Sequence, residues 1–137
     1  MEYRKGTAES LSLLARIATV RGDYTSASVL CNECLAIAKE LGDRELLASG
    51  LEAVAELIAA QESRTTSTKG ALRAAKLWGA AESLREAIGA PIPPLERATN
   101  ERAVTAMRTQ LGEETFAAAW AQGRSLTPDQ ALAGRDE

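Results

Sequence analysis

Histidine is absent from the 137 residues of the chain. That excludes Ser-His-Asp triads, Cys-His dyads, imidazole acid–base chemistry and imidazole-liganded metal sites. Val and Ile together number nine, and Phe, Trp and Tyr five. So few β-formers would poorly supply an all-β fold or a large parallel sheet. Charges interrupt every apolar stretch far short of the ~18 residues needed to cross a bilayer. Met1-Glu2-Tyr3-Arg4-Lys5 is charged and leads into no continuous apolar run, so no signal peptide is read there. These absences predict a cytoplasmic protein without membrane association. A net charge of −3 argues against a dedicated nucleic-acid binder. Cysteine is limited to Cys31 and Cys34, a CxxC that could form a redox motif or half of a zinc site. It lies mid-helix, with no second pair and no histidine to complete four ligands. The pair therefore reads as two small apolar core residues. Incidental thiol reactivity and a metal shared between chains are the alternatives.

What is present points to helices. Counting 27 Ala, 17 Leu, 15 Glu and 16 Lys plus Arg accounts for more than half of the chain, a level that accompanies long helices. The length suits one domain over 1–137, which can bury roughly two-thirds of its unfolded surface without metal or disulfide. From Gly6 to Arg21 one apolar stripe runs through Leu11, Leu14, Ala15 and Ala18, and a second through Leu13, Ile17 and Val20. Two stripes imply neighbours on two sides. Gly22-Asp23 and Gly42-Asp43 repeat a stop-and-cap pair, so helices are expected over Tyr24–Leu41 and Arg44–Glu62. The polar run 63–70 has nothing to bury and reads as a flexible insertion; a phosphorylation or docking role is the other reading. A fourth helix is expected from Ala71 to Ile88 within 71–90, then a stiff connector at 91–94 that no helix crosses. Capping helices over 95–134 follow: Leu95–Leu111, Glu113–Gln122 with Phe116 and Trp120 on one face, and a short one after Thr127-Pro128-Asp129-Gln130. The tail beyond Gly134 is expected to fray.

Leu11, Leu14, Ala15, Gly22, Tyr24 and Ala27, followed by Cys31 and Cys34, carry a spacing of large, small, turn and wedge residues. In this the first two helices resemble a tetratricopeptide (TPR) repeat, a unit of about 34 residues. Small residues let antiparallel helices approach, and Tyr24 fills the wedge beside the turn. Leu51, Val54 and Ala55 repeat the first-helix pattern, and Ala74, Trp78 and Ala81 the second, with 63–70 counted as an insertion. The second copy lacks the Gly-x-Tyr element, and a generic bundle of αα-hairpins is the alternative. Ala74-Ala75-Lys76-Leu77-Trp78-Gly79-Ala80-Ala81-Glu82, Leu84-Arg85-Glu86-Ala87-Ile88-Gly89-Ala90-Pro91, Pro93-Pro94 and Glu96-Arg97 are followed by Phe116, Ala119-Trp120, Gly123-Arg124 and Leu126. Here the chain is similar to the C-terminal repeat region of large bacterial LuxR-type and related ATPase-type transcriptional regulators. The resemblance implies sensing or scaffolding by the repeats, with ATP and DNA bound by other domains. No phosphate-binding Gly-rich loop with its Lys occurs in this chain.

The expected architecture is all-α: TPR-like antiparallel helix pairs in a right-handed array, with extra C-terminal capping helices. The expected function is a non-catalytic protein–protein interaction or scaffolding module, with a peptide or small-ligand sensor as the alternative; no cofactor, metal or nucleic acid is expected. Glu52 and Glu56, at i and i+4, could serve acid–base work or hold a metal, yet read as a solvated acidic stripe. Arg97, Arg102 and Arg108 interleave with Glu96 and Glu101 and read as a mixed-charge surface. A partner groove is expected along Glu9, Ser12, Arg16, Thr19 and Val20, then Ser49, Glu52, Glu56, Ala59 and Ala60. Its excess of Glu predicts a basic and apolar protein or peptide partner, and exposed Glu52 and Glu56 should tolerate Lys with little loss of stability. Leu13, Ile17 and Val20 face outward with no earlier repeat to cover them, which predicts a homodimer.

Overall fold

A computed structural model describes residues 2–65 and 67–133. Among them every regular element is a helix: α1 (Glu2–Arg21), α2 (Tyr24–Leu41), α3 (Arg44–Glu62), α4 (Lys69–Ile88), α5 (Pro94–Leu111), α6 (Glu113–Arg124) and α7 (Pro128–Ala133). None is long and apolar enough to cross a membrane.

The helix ends follow local chemistry. Gly22 and Gly42 take φ of 83° and 65°, the left-handed turn that ends a helix without Cβ strain. Asp23 then accepts from Ser26 N at 3.3 Å, and Asp43 from Leu46 N at 3.0 Å, each meeting a free amide of the next helix. Thr127 and Gln130 form a reciprocal capping box at the start of α7, with bonds of 2.9 and 3.1 Å. Four boundaries differ from expectation: α1 begins at Glu2, ahead of Gly6, α6 runs on past Gln122 to Arg124, and the starts of α5 and α4 shift as well. Pro94 opens α5 rather than ending the connector, because the first helical position needs no N–H. Lys69 and Gly70 belong to α4, not to the insertion, and Gly70 is buried where a Cβ would meet the Glu62 side chain at 2.2 Å. Thr66 of the insertion and residues 134–137 of the expected frayed tail lie outside the described residues.

Packing proceeds stepwise. The α1–α2 hairpin meets α3 on both of its members, α4 lies along α3, and α6 lies along α4. Helix α5 bridges α3 and α4, and α7 touches both. Helix α3 sits at the centre: every residue from 50 to 59 is buried, so neighbours surround it. Cys31 and Cys34 are free thiols buried in the core, as expected, and burial pushes them up to about 12 and about 11 respectively. The expected cover over Trp78 is formed by α6. Trp78 and Trp120 stack with centroids 6.4 Å apart, and Phe116 lies 5.5 Å from Trp120. Two glycines make this closeness possible: a Cβ on Gly79 would meet Trp120 O at 2.1 Å, and one on Gly123 would meet Lys76 O at 2.1 Å. The two backbones touch.

Candidate functional site

The residues expected to line a groove are brought together, but mostly inside the protein. Ser12, Arg16, Thr19, Glu52 and Glu56 are all buried, with Glu52 2% and Glu56 3% exposed. Among the expected groove residues only Glu9 and Val20 are exposed, while Ser49 and Ala60 are half-buried. The solvated acidic stripe is therefore overturned, and with it the expectation that Lys would be tolerated at Glu52 and Glu56. The physical reason is α5: it lies against α3 and closes over the face that sequence spacing left open.

These side chains form a charged layer instead. Arg85 grips Glu52 in a bidentate pair, Nε to Oε2 at 2.7 Å and a terminal nitrogen to Oε1 at 2.8 Å. The remaining terminal nitrogen of Arg85 donates to Ala90 O at 3.0 Å, which ties the connector to the layer. Burial works against the charge of Arg85, but the bonds to Glu52 prevail and raise its pKa. Arg16, from α1, reaches Glu52 at 3.4 Å, Glu56 at 3.3 Å and Glu96 of α5 at 3.1 Å. Only the Glu52 contact is aligned well enough to be a hydrogen bond; both carboxylate oxygens of Glu56 are sealed from solvent without one. Burial pushes the Glu56 carboxyl up to about 7, in spite of Arg16. Three Glu thus share two Arg, and Glu56 is the carboxylate that the arrangement satisfies least.

The layer separates two cavities. One, of about 450 Å³, lies among α1, α3 and α5 and is the surviving form of the expected groove, since Arg16, Thr19, Val20, Glu56, Ala59 and Ala60 line it. Its rim carries Arg64 and Arg102, so its accessible charge is basic rather than the expected acidic. Tyr24, the expected wedge residue, stands there with its hydroxyl donating to Ala60 O at 3.4 Å and Arg64 5.4 Å above its ring. The other cavity, of about 440 Å³, is bounded by Glu52, Arg85, Trp78, Trp120, Asn100 and the connector residues Ala90, Pro91 and Ile92. Sequence spacing did not foresee this second cavity. The only hint was an aromatic pair flanking a Pro-rich connector, a pattern equally compatible with plain core.

On the outside, α1 presents Leu13, Leu14, Ile17 and Val20 to solvent, Val20 at 74%. The expected uncovered face of Leu13, Ile17 and Val20 is present, but Leu14, expected on the packed stripe with Leu11 and Ala15, is 50% exposed and joins it. Among the described residues no group of three His, Cys, Asp or Glu could hold a metal ion.

No family model matches the chain, and no solved structure does. It is 32% identical over 124 residues, 90% of its length, to a Mycobacterium bovis protein named "Putative HTH-type transcriptional regulator". Two strains of Mycobacterium tuberculosis hold like-named proteins at the same identity and coverage. The chain spans 13% of the length of each of these relatives. It is thus distantly similar to proteins named as transcriptional regulators, which agrees with the regulator part of the expected resemblance.

Proposed function

We propose that this chain is a non-catalytic interaction segment of a transcriptional-regulator-type protein, built as a TPR-like array of helix pairs. The observation that carries this reading is the similarity along 90% of the chain to a protein named as a regulator, of which it spans only 13%. The order of packing supports the array, with α1 on α2, α3 against both and α4 on α3. So does the burial of the small template residues Ala15, Ala27, Cys31 and Cys34 between them. Repeat stacks of this kind leave an extended surface for another chain. The α1–α3–α5 groove is one such surface, and the Arg64 and Arg102 rim suits acidic side chains on the partner segment.

The outer face of α1 is the second, and its simplest occupant is another copy of the chain. Glu9 and Arg21 are exposed and stand at equal distance on either side of the Leu13–Ile17 pair. Antiparallel pairing about a two-fold axis would set each Glu9 opposite the other copy's Arg21, and each Leu13 opposite Ile17. Opposite charges there would fix the direction and register of the pair. Light scattering from low to high micromolar concentration tests this. Dimer should form as concentration rises, and Ile17→Glu with Val20→Glu should restore monomer with helix content unchanged. Monomer throughout would overturn the pairing.

A further inference from the structure

The cavity beside Trp78 and Trp120 has a feature that packing alone does not require. An indole N–H can only donate, and Trp78 Nε1 donates to Asn100 Oδ1 at 2.9 Å. That bond fixes which end of the Asn100 amide is oxygen. The amide nitrogen is left with no partner among the described residues, although Asn100 is only 5% exposed and lines the cavity. It is not among the polar atoms sealed from solvent, and the residue that carries it is part of the cavity lining. The other polar groups of the lining have protein partners, in the lining or just outside it. Arg85 holds Glu52 and Ala90 O, Glu82 accepts from Trp120 Nε1 at 2.8 Å and from Arg124 at 2.6 Å, and Glu86 accepts from Arg124 at 2.6 Å. Around them stand two indoles, Pro91 and Ile92. A mostly apolar cavity with one oriented, unanswered donor is the form of a small-molecule site.

We propose that this cavity binds a planar, uncharged ring compound carrying a carbonyl oxygen. The ring lies against the indoles and Pro91, and the carbonyl accepts from the Asn100 amide. An ion is disfavoured because each charged group of the lining already has a protein partner, Glu52 with Arg85 and both Glu82 and Glu86 with Arg124, and apolar walls would not replace its hydration. This site is independent of pairing through α1, which lies elsewhere in the stack.

The probes are 1-indanone, which has the ring and the carbonyl, and indane, which has the ring alone. Titration of isotope-labelled protein follows the indole N–H of Trp78 and Trp120, the only two tryptophans, and the Asn100 side-chain amide. Saturable shifts of all three with 1-indanone are expected, with indane weaker by roughly ten-fold for the lost hydrogen bond. Asn100→Asp, studied above neutral pH, keeps an acceptor for Trp78 and removes the donor. It should abolish the preference for 1-indanone while the Trp78 indole signal stays near its place. If that variant does not fold, the two probes on the unaltered chain still decide. Equal binding of indane and 1-indanone, shifts confined to residues away from the cavity, or no saturation would each overturn the proposal.

Discussion

The two ends of the helix stack solve the same problem differently. At the C-terminal end α4 is covered by α6, and the contact is backbone on backbone, with Gly79 under Trp120 O and Gly123 under Lys76 O. At the N-terminal end α1 carries large aliphatic side chains, Leu13, Ile17 and Val20, that project into solvent. Small residues seat a partner that the same chain supplies at a fixed distance. Protruding residues suit a partner that arrives from outside, where side chains must interlock. Both ends are rich in Ala and Leu, so composition alone does not tell a closed face from an open one.

Ending the chain after Gly112 should have the largest effect. Loss of α6 and α7 would uncover Trp78 and Ala81 and leave the stack open at both ends. Aggregation or a clear fall in melting temperature is expected; a truncated chain as stable and as monomeric as the full one would show that α6 is not a cover.

A pH series probes the charged layer that ties α1 to α3 and α5. The Glu56 carboxyl moves from its ordinary 4.5 up to about 7 in the folded chain. The folded state therefore holds that proton more tightly than the unfolded state, and stability must fall as pH rises through this window, by about 3 kcal/mol in all. The loss is complete above the upper value and absent below the lower one. Asp43 shifts the opposite way, its bonds to Leu46 and Lys5 outweighing burial, so its stabilisation is lost only on acidification below the Glu56 window. Chemical denaturation across the window should show the fall in the wild-type chain and a flattened profile in Glu56→Gln. An unchanged slope in the variant would move the titration to another group.

Gly79→Ala sharpens the closed end by itself. Its methyl group would push directly on the Trp120 carbonyl, and overpacking of this kind costs about 1–3 kcal/mol. A smaller loss in denaturant would mean that α6 can slide away freely. At the open end, Ile17→Glu with Val20→Glu should change monomer stability by no more than about 0.5 kcal/mol, since both positions are exposed. Self-association and stability would then separate at one end and coincide at the other.

Much of the fold was legible before any packing was known. The two Gly-Asp pairs, the connector prolines and the Thr127–Gln130 box set helix ends to within a few residues, because each acts on groups only a few positions away. The candidate site was far less legible. Helical spacing placed Arg16, Glu52 and Glu56 on one face, and the structure keeps them together. It gave no sign that α5 would cover them, so a groove read as acidic is a buried charged layer with a basic rim.

The residues themselves therefore determined an all-helical chain, its helix limits, a core that takes in both cysteines, and one uncovered apolar face on α1. Periodicity and capping report these because they concern the conformation and the faces of single helices. Tertiary structure alone decided that Glu52 meets Arg85 across 33 residues, that Asn100 turns its oxygen to Trp78, and that Gly79 and Gly123 sit under opposing carbonyls. Those outcomes depend on which faces meet and how closely, and a carboxylate on a helix carries the same local signature whether water or an arginine answers it.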